Sequence, residues 1–219
     1  MGNQKNMKRI PLILFVLLIF SLHTNAQSLI DDAKARNLIK LAEEVLQQGA
    51  FSKSITYYEQ ADSLSSTVFT SGDYNNMAGV YYNLKDYDKA VRICKKAIAR
   101  DTLNYQSYVN LGIAYTALDS TRASIAAYEK AKILNPQIKI IYFNLGTAYS
   151  KLKEYQSAIV CYEQLLAIDS NDSKAYVNMG IAYAELGNHE KLFECFEKAA
   201  KMGDKEAQEF LSKTKRTWE

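Results

Sequence analysis

Proline is nearly missing from this chain, with two in 219 residues, Pro11 and Pro136. Proline breaks helices from within, so its scarcity, together with long stretches rich in Ala, Leu, Glu and Lys, favours a helical chain. Cysteine is also scarce. The three, Cys94, Cys161 and Cys195, are odd in number and none stands in a Cys-x-x-Cys spacing, so disulfides do not define the fold and no cysteine-based metal site is expected. Packing is the better role for them. Histidine amounts to His23 and His189, and there is no Gly-rich phosphate loop. With no nucleophile–base pair to name, the sequence points away from catalysis and from any cofactor or metal.

Long apolar runs are missing as well, save one. Residues 10–22 are apolar except for Pro11 and Ser21, follow the bases Lys5, Lys8 and Arg9, and precede Thr24, Asn25 and Ala26, which suit a cleavage site. That is the three-part pattern of a secretory signal peptide over residues 1–26. Its 13-residue apolar run is shorter than the roughly 20 residues of a membrane-spanning helix. Cleavage is therefore expected over anchoring, leaving no stable membrane span, and no cysteine lies near the cut to carry a lipid. The protein is expected to be exported, periplasmic or secreted, with a mature chain from Gln27. An uncleaved signal anchor is the alternative.

The excess of positive charge leaves with that segment. The full chain carries 27 Lys and Arg against 24 Asp and Glu, and residues 1–26 hold three of the bases and none of the acids. A formally neutral mature chain offers no basic patch for phosphate neutralisation, so no nucleic-acid partner is expected.

What the chain does have is repetition. Residues 108–115 read YVNLGIAY and residues 176–183 read YVNMGIAY. The interval is twice 34, and small residues recur every 34 positions at Ala78, Gly112, Gly146 and Gly180. Before each stands an apolar residue (Met77, Leu111, Leu145, Met179), and a tyrosine lies four residues before (Tyr74, Tyr108, Tyr142, Tyr176) and three after (Tyr81, Tyr115, Tyr149, Tyr183). A looser copy, with Leu38, Leu41, Ala42 and Val45, stands 36 residues ahead of the first.

These residues resemble the tetratricopeptide repeat, a 34-residue helix–turn–helix unit. In that family's pattern the aromatic is position 4, the small residue position 8 and the next tyrosine position 11. Position 20 is then small in Ser54, Ala90, Ser124 and Ala158, position 24 holds Tyr58, Cys94, Tyr128, Tyr162 and Phe196, and position 27 is Ala61, Ala97, Ala131 and Ala199. Pro136 falls at position 32. Leu165 at position 27 and Leu192 at position 20 depart from the pattern, and larger side chains there are expected to push paired helices apart locally. Residues 196–211, FEKAAKMGDKEAQEFL, resemble the related Sel1-type repeat, which implies a slightly different packing angle for the last unit.

The resemblance implies an all-α solenoid of helix–turn–helix units. A first, looser unit and linker are expected at residues 27–70, four consecutive units at 71–204, and a capping helix and tail at 205–219. One unit cannot bury its apolar face alone, so stability should come from stacking. Residues 63–72 are the most linker-like stretch, expected to loosen the first unit from the rest.

In the resembled family, positions 2, 5, 6, 9, 12 and 13 line a concave groove. Position 6 is Asn in four consecutive copies, Asn76, Asn110, Asn144 and Asn178. One side-chain amide can bond both the N–H and the C=O of an extended peptide. The apolar residues Val109, Phe143 and Val177 at position 5, with Ile113 and Ile181 at position 9, would add selectivity. The Lys and Asn clamp that captures a C-terminal carboxylate in some family members is absent here. Alternatively, each Asn bonds only to its own surroundings. The expected function is a protein–protein interaction scaffold that binds a peptide segment or helix in the groove, in the manner of an assembly factor for a cell-envelope complex; self-association is open. Binding of a glycan or cell-wall strand through the 16 tyrosines is the alternative, weakened because most of them fall at packing positions.

Overall fold

A computed structural model of the chain describes residues 12–214, and the described residues are helical apart from short turns. The bases Lys5, Lys8 and Arg9 of the expected signal segment lie outside the described residues. The chain divides into two compact units at Thr70 and Ser71.

The first unit holds helices α1 (Leu12–Gln47) and α2 (Phe51–Leu64), followed by a single 3-10 turn, Ser66–Val68. Helix α1 runs without a break through the expected cleavage point at residues 26 and 27. Its Val16, Leu17, Ile19, Phe20 and Leu22 are exposed, whereas Ala35, Ile39, Ala42 and Val45 are buried. The core-forming part of α1 is thus its second half, where the apolar residues recur at helical spacing. Ser54 on α2 donates a hydrogen bond of 2.9 Å to the Ala42 carbonyl, and the Tyr58 and Phe69 rings lie 6.3 Å apart. A small residue at position 20 here lets the helices approach closely enough for a side chain to bond backbone.

The second unit is built from four helix–turn–helix hairpins and a final helix. They are α3 (Ser71–Asn83) with α4 (Tyr87–Arg100), α5 (Tyr105–Ala117) with α6 (Thr121–Leu134), α7 (Lys139–Lys151) with α8 (Tyr155–Ile168), α9 (Ser173–Glu185) with α10 (His189–Lys201), and α11 (Lys205–Lys213). Each hairpin turns through one residue at positive φ: Lys85, Asp119 and Lys153 at 59–62°, and Gly187 at 75°. In each turn the next amide donates back to the position 11 tyrosine carbonyl, Tyr81, Tyr115, Tyr149 or Tyr183, at 2.9 Å. This left-handed helix end satisfies carbonyls that the helix leaves open.

Within each hairpin the closest approach is between positions 8 and 24. A Cβ built on Gly112 would lie 2.5 Å from Cε1 of Tyr128, one on Gly146 2.6 Å from Cε1 of Tyr162, and one on Gly180 2.8 Å from Cδ2 of Phe196. At the helix spacing of these three hairpins the aromatic ring occupies the space of a methyl group, which glycine leaves free. Between hairpins the core continues as a series of seams. Val109, Tyr128 and Ala131 join Ile141, Leu145 and Cys161; Tyr162 and Leu165 join Ala175 and Met179; Leu192, Phe196 and Ala199 join Ala207 and Leu211. Leu165 is fully buried in the second seam, and Leu192 is buried in the third. Helix α11 closes the stack: Ala207 and Leu211 are fully buried, and the Phe210 ring lies 4.5 Å from that of Phe196.

Candidate peptide groove

Helices α3, α5, α7 and α9 carry the position 6 asparagines, one per helix, at the same place in each 34-residue unit. Asn76 is exposed, and Asn110, Asn144 and Asn178 are half-buried. Their bonding separates them. Asn110 accepts a hydrogen bond from Gln106 Nε2 at 3.0 Å and donates to Asn75 Oδ1 at 3.4 Å, so its amide is already engaged by the protein itself. Asn144 and Asn178 make no side-chain hydrogen bond among the described residues. The local-bonding alternative therefore holds for Asn110 and leaves the next two amides with unused donors and acceptors.

The apolar candidates also separate. Ile113 and Phe143 are half-buried, and Ile181 is 43% exposed. Val109 and Val177 are nearly fully buried, although Val177 still lines the cleft beside Asn178. They are 3% and 6% exposed and belong to the seams, Val109 with Ile141 and Leu145 of α7, and Val177 with Ala207 and Leu211 of α11. Little of either side chain is left as contact surface, because α7 packs over Val109 and α11 over Val177. Phe143 keeps part of its ring open while its edge meets Tyr162, centroids 6.3 Å apart.

Clefts open beside three of the four asparagines. Between α3, α4 and α5 lies one of about 160 Å³, floored by Ala78, Ala90 and Cys94, with Asn110 and Ile113 on its rim. One unit on, between α5, α6 and α7, Asn144 and Thr147 border a cleft of about 60 Å³. Asn178 borders a broad, open one of about 390 Å³ with Phe143, Lys174 and the start of α11. Sequence spacing placed the asparagines but not these clefts. The available signal was Cys94, the one non-aromatic residue at position 24.

Charge contributes little to the site. Lys151 at position 13 is paired with Asp119, and Lys139 pairs with Asp169 at 2.6 Å, which holds the Asp169 carboxyl below its ordinary range. All four side chains are at least a third exposed, so these pairs are worth little. The cysteines are poor nucleophiles: burial pushes the Cys94 thiol up to about 12, and those of Cys161 and Cys195 up to about 11. No cluster of His, Cys, Asp and Glu that could hold a metal is found among the described residues.

Models of the tetratricopeptide repeat match residues 74–100, 105–138, 140–172 and 161–191, which together span about half of the chain. This chain belongs to the tetratricopeptide repeat family. Solved structures agree on the fold. A crystal structure of MamA protein is 24% identical over 80% of this chain and 94% of its own, with a TM-score of 0.73. MamA from Desulfovibrio magneticus is 17% identical over 78% and 95%, with a TM-score of 0.72. YrrB, described as a tetratricopeptide repeat protein with an unusual peptide-binding site, is 21% identical over 80% and 90%, with a TM-score of 0.70. The repeats of this family act as protein–protein interaction scaffolds, and the four hairpins of the second unit are such repeats.

Proposed function

We propose that the protein is an exported scaffold whose α3, α5, α7 and α9 face holds a peptide segment or helix of a partner, as an assembly factor for a cell-envelope complex. The observation that carries the groove is the pair of open amides: Asn144 and Asn178 stand in register on successive helices, half-buried, with their hydrogen-bonding capacity unspent. Two amides one repeat apart can bond the backbone of an extended segment without reading its sequence, while Phe143, Ile113 and Ile181 favour apolar side chains beside it. The unusual peptide-binding site of YrrB is consistent with such a use of this fold.

Export rests on the three-part pattern of residues 1–26 and is supported by the exposed apolar residues of the first half of α1. No described helix is long and apolar enough to cross a membrane. N-terminal sequencing of the protein recovered from the cell envelope should give Gln27 as first residue; an intact Met1 would refute cleavage. The glycan reading finds little support. Of the 16 tyrosines only Tyr82, at 40%, is exposed and the others are buried or half-buried, which leaves few open rings on which sugars could stack.

To test the groove, dodecamer peptides can be selected from a random library on the immobilised full chain and their affinities measured. Asn144→Ala with Asn178→Ala should weaken the selected peptides at least tenfold with helical content unchanged. Equal affinity in that double variant would remove the groove from consideration.

A further inference from the structure

The largest difference among the four hairpins is a missing ring. At position 24 Tyr128, Tyr162 and Phe196 each fill the space against the position 8 glycine of their own hairpin. Cys94 occupies that position in α4 and lines one cleft with Ala78, the position 8 residue of its hairpin. Position 9 is also stripped there. Gly79 stands where later repeats have Ile113, Thr147 and Ile181, and a Cβ built on it meets nothing within 4 Å. Two side chains are thus reduced at one place, and the cleft of about 160 Å³ lies there. At the equivalent place one repeat on, where Tyr128 is present, only about 60 Å³ is open.

We propose that this cleft is a receptor for one aromatic side chain, Phe or Tyr, of the bound peptide. The neighbouring repeats fix the chemistry of the occupant, because in each of them this corner of the hairpin is filled by an aromatic ring. The size agrees: a dry apolar cavity of about 150 Å³ takes one benzene ring. The floor is apolar, with Ala78, Ala90 and Cys94 all nearly fully buried, and Tyr82 stands exposed at its edge. At the mouth lies Asn83, whose Nδ2 donates to the Gly79 carbonyl at 2.8 Å and whose Oδ1 is left to accept from a phenol hydroxyl. Cys94 serves as the short side chain that leaves room, and burial keeps its thiol protonated. The assignment of a peptide as the source of the ring rests on the groove reading above.

The test uses p-cresol and toluene, the side-chain analogues of Tyr and Phe, with isobutanol as the aliphatic control, titrated into the labelled full chain by NMR. Saturable shifts at Ala78, Ile113 and Ala114 are expected for both rings. Two variants close the cleft from opposite sides. Gly79→Ile fills it from the mouth, where a Cβ is unobstructed, and Cys94→Tyr restores the ring from below. Ala42 and Tyr58 coexist at the same two positions in the first unit, both fully buried, so alanine at position 8 does not bar that ring. Each variant should weaken ring binding at least tenfold. Absence of saturable shifts, shifts that persist in a folded Gly79→Ile protein, or equal binding of isobutanol would overturn the proposal. Peptides selected on the wild-type chain should need an aromatic residue that Gly79→Ile makes dispensable. Selected peptides that require Asn144 and Asn178 but no aromatic would overturn the receptor and leave the groove; ring binding with no selectable peptide would overturn the groove and leave the receptor.

Discussion

Gly146 shows how closely a single residue is specified. Its missing Cβ is the space that Tyr162 occupies, and Tyr162 is 1% exposed with no room to retreat. Gly146→Ala should therefore cost about 1–3 kcal/mol by overpacking, read as a shift in the urea unfolding midpoint. Ala at Gly79 should cost nothing and gain roughly 0.5–1 kcal/mol from helix propensity, since that Cβ is unobstructed. Both glycines sit mid-helix, and sequence alone separates them only through their repeat positions, 8 and 9. The position 6 asparagines were equally legible as a row, yet their bonding was not, because Gln106 and Asn75 reach Asn110 across one turn and from the neighbouring helix. Val109 and Val177 were placed in the groove by their repeat position, 5, in the resembled family. Repeat position does not show how far the following helix covers each residue: both valines join seams, and Val177 also lines the cleft beside Asn178.

The hairpins themselves were readable at the scale of the element, since the 34-residue period fixes where each helix must start and stop. The caps add detail that spacing does not reveal. Asp172, Asn188 and Asp204 each accept a hydrogen bond from the third amide of the helix that follows, at 3.0 Å. Asp101, Asn135 and Asp169, each just beyond a second helix, accept from the amide two residues on, at 2.9–3.2 Å, and so shape the connections between repeats. The hairpin turns carry a measurable inefficiency. Lys153 holds φ at 62°, a conformation that costs a residue with a Cβ about 1–2 kcal/mol. Lys153→Gly should raise stability by about 0.5–1 kcal/mol, the relief being partly offset by greater freedom of the unfolded chain, and thermal unfolding would show it. At the end of the stack Leu211 is fully buried between α11 and α10. Leu211→Ala should cost about 2–5 kcal/mol, because α11 closes the last seam.

At the scale of the molecule, the second unit is a row of similar hairpins whose stability comes from seams, and the pH dependence follows from what those seams bury. Cys94, Cys161, Cys195 and Tyr128 all have folded-state pKa values raised by burial, to about 12, 11, 11 and 12. For a group raised in the folded state, the native chain binds the proton more tightly than the unfolded one. Stability is then fully present below the unfolded value, about 9 for a thiol, and is lost as pH rises toward 11–12. A fall in unfolding temperature between pH 9 and 11 is expected, and Cys161→Ala with Cys195→Ala should flatten it. The family membership fits this architecture, and the function follows from what the seams leave unused. Among the position 6 amides those are Asn144 and Asn178. The most direct measurement is the affinity of a library-selected peptide for the wild-type chain and for the Asn144→Ala/Asn178→Ala variant. At least tenfold weaker binding with an unchanged helical spectrum is expected, and unchanged affinity would contradict the proposal that these amides hold a partner.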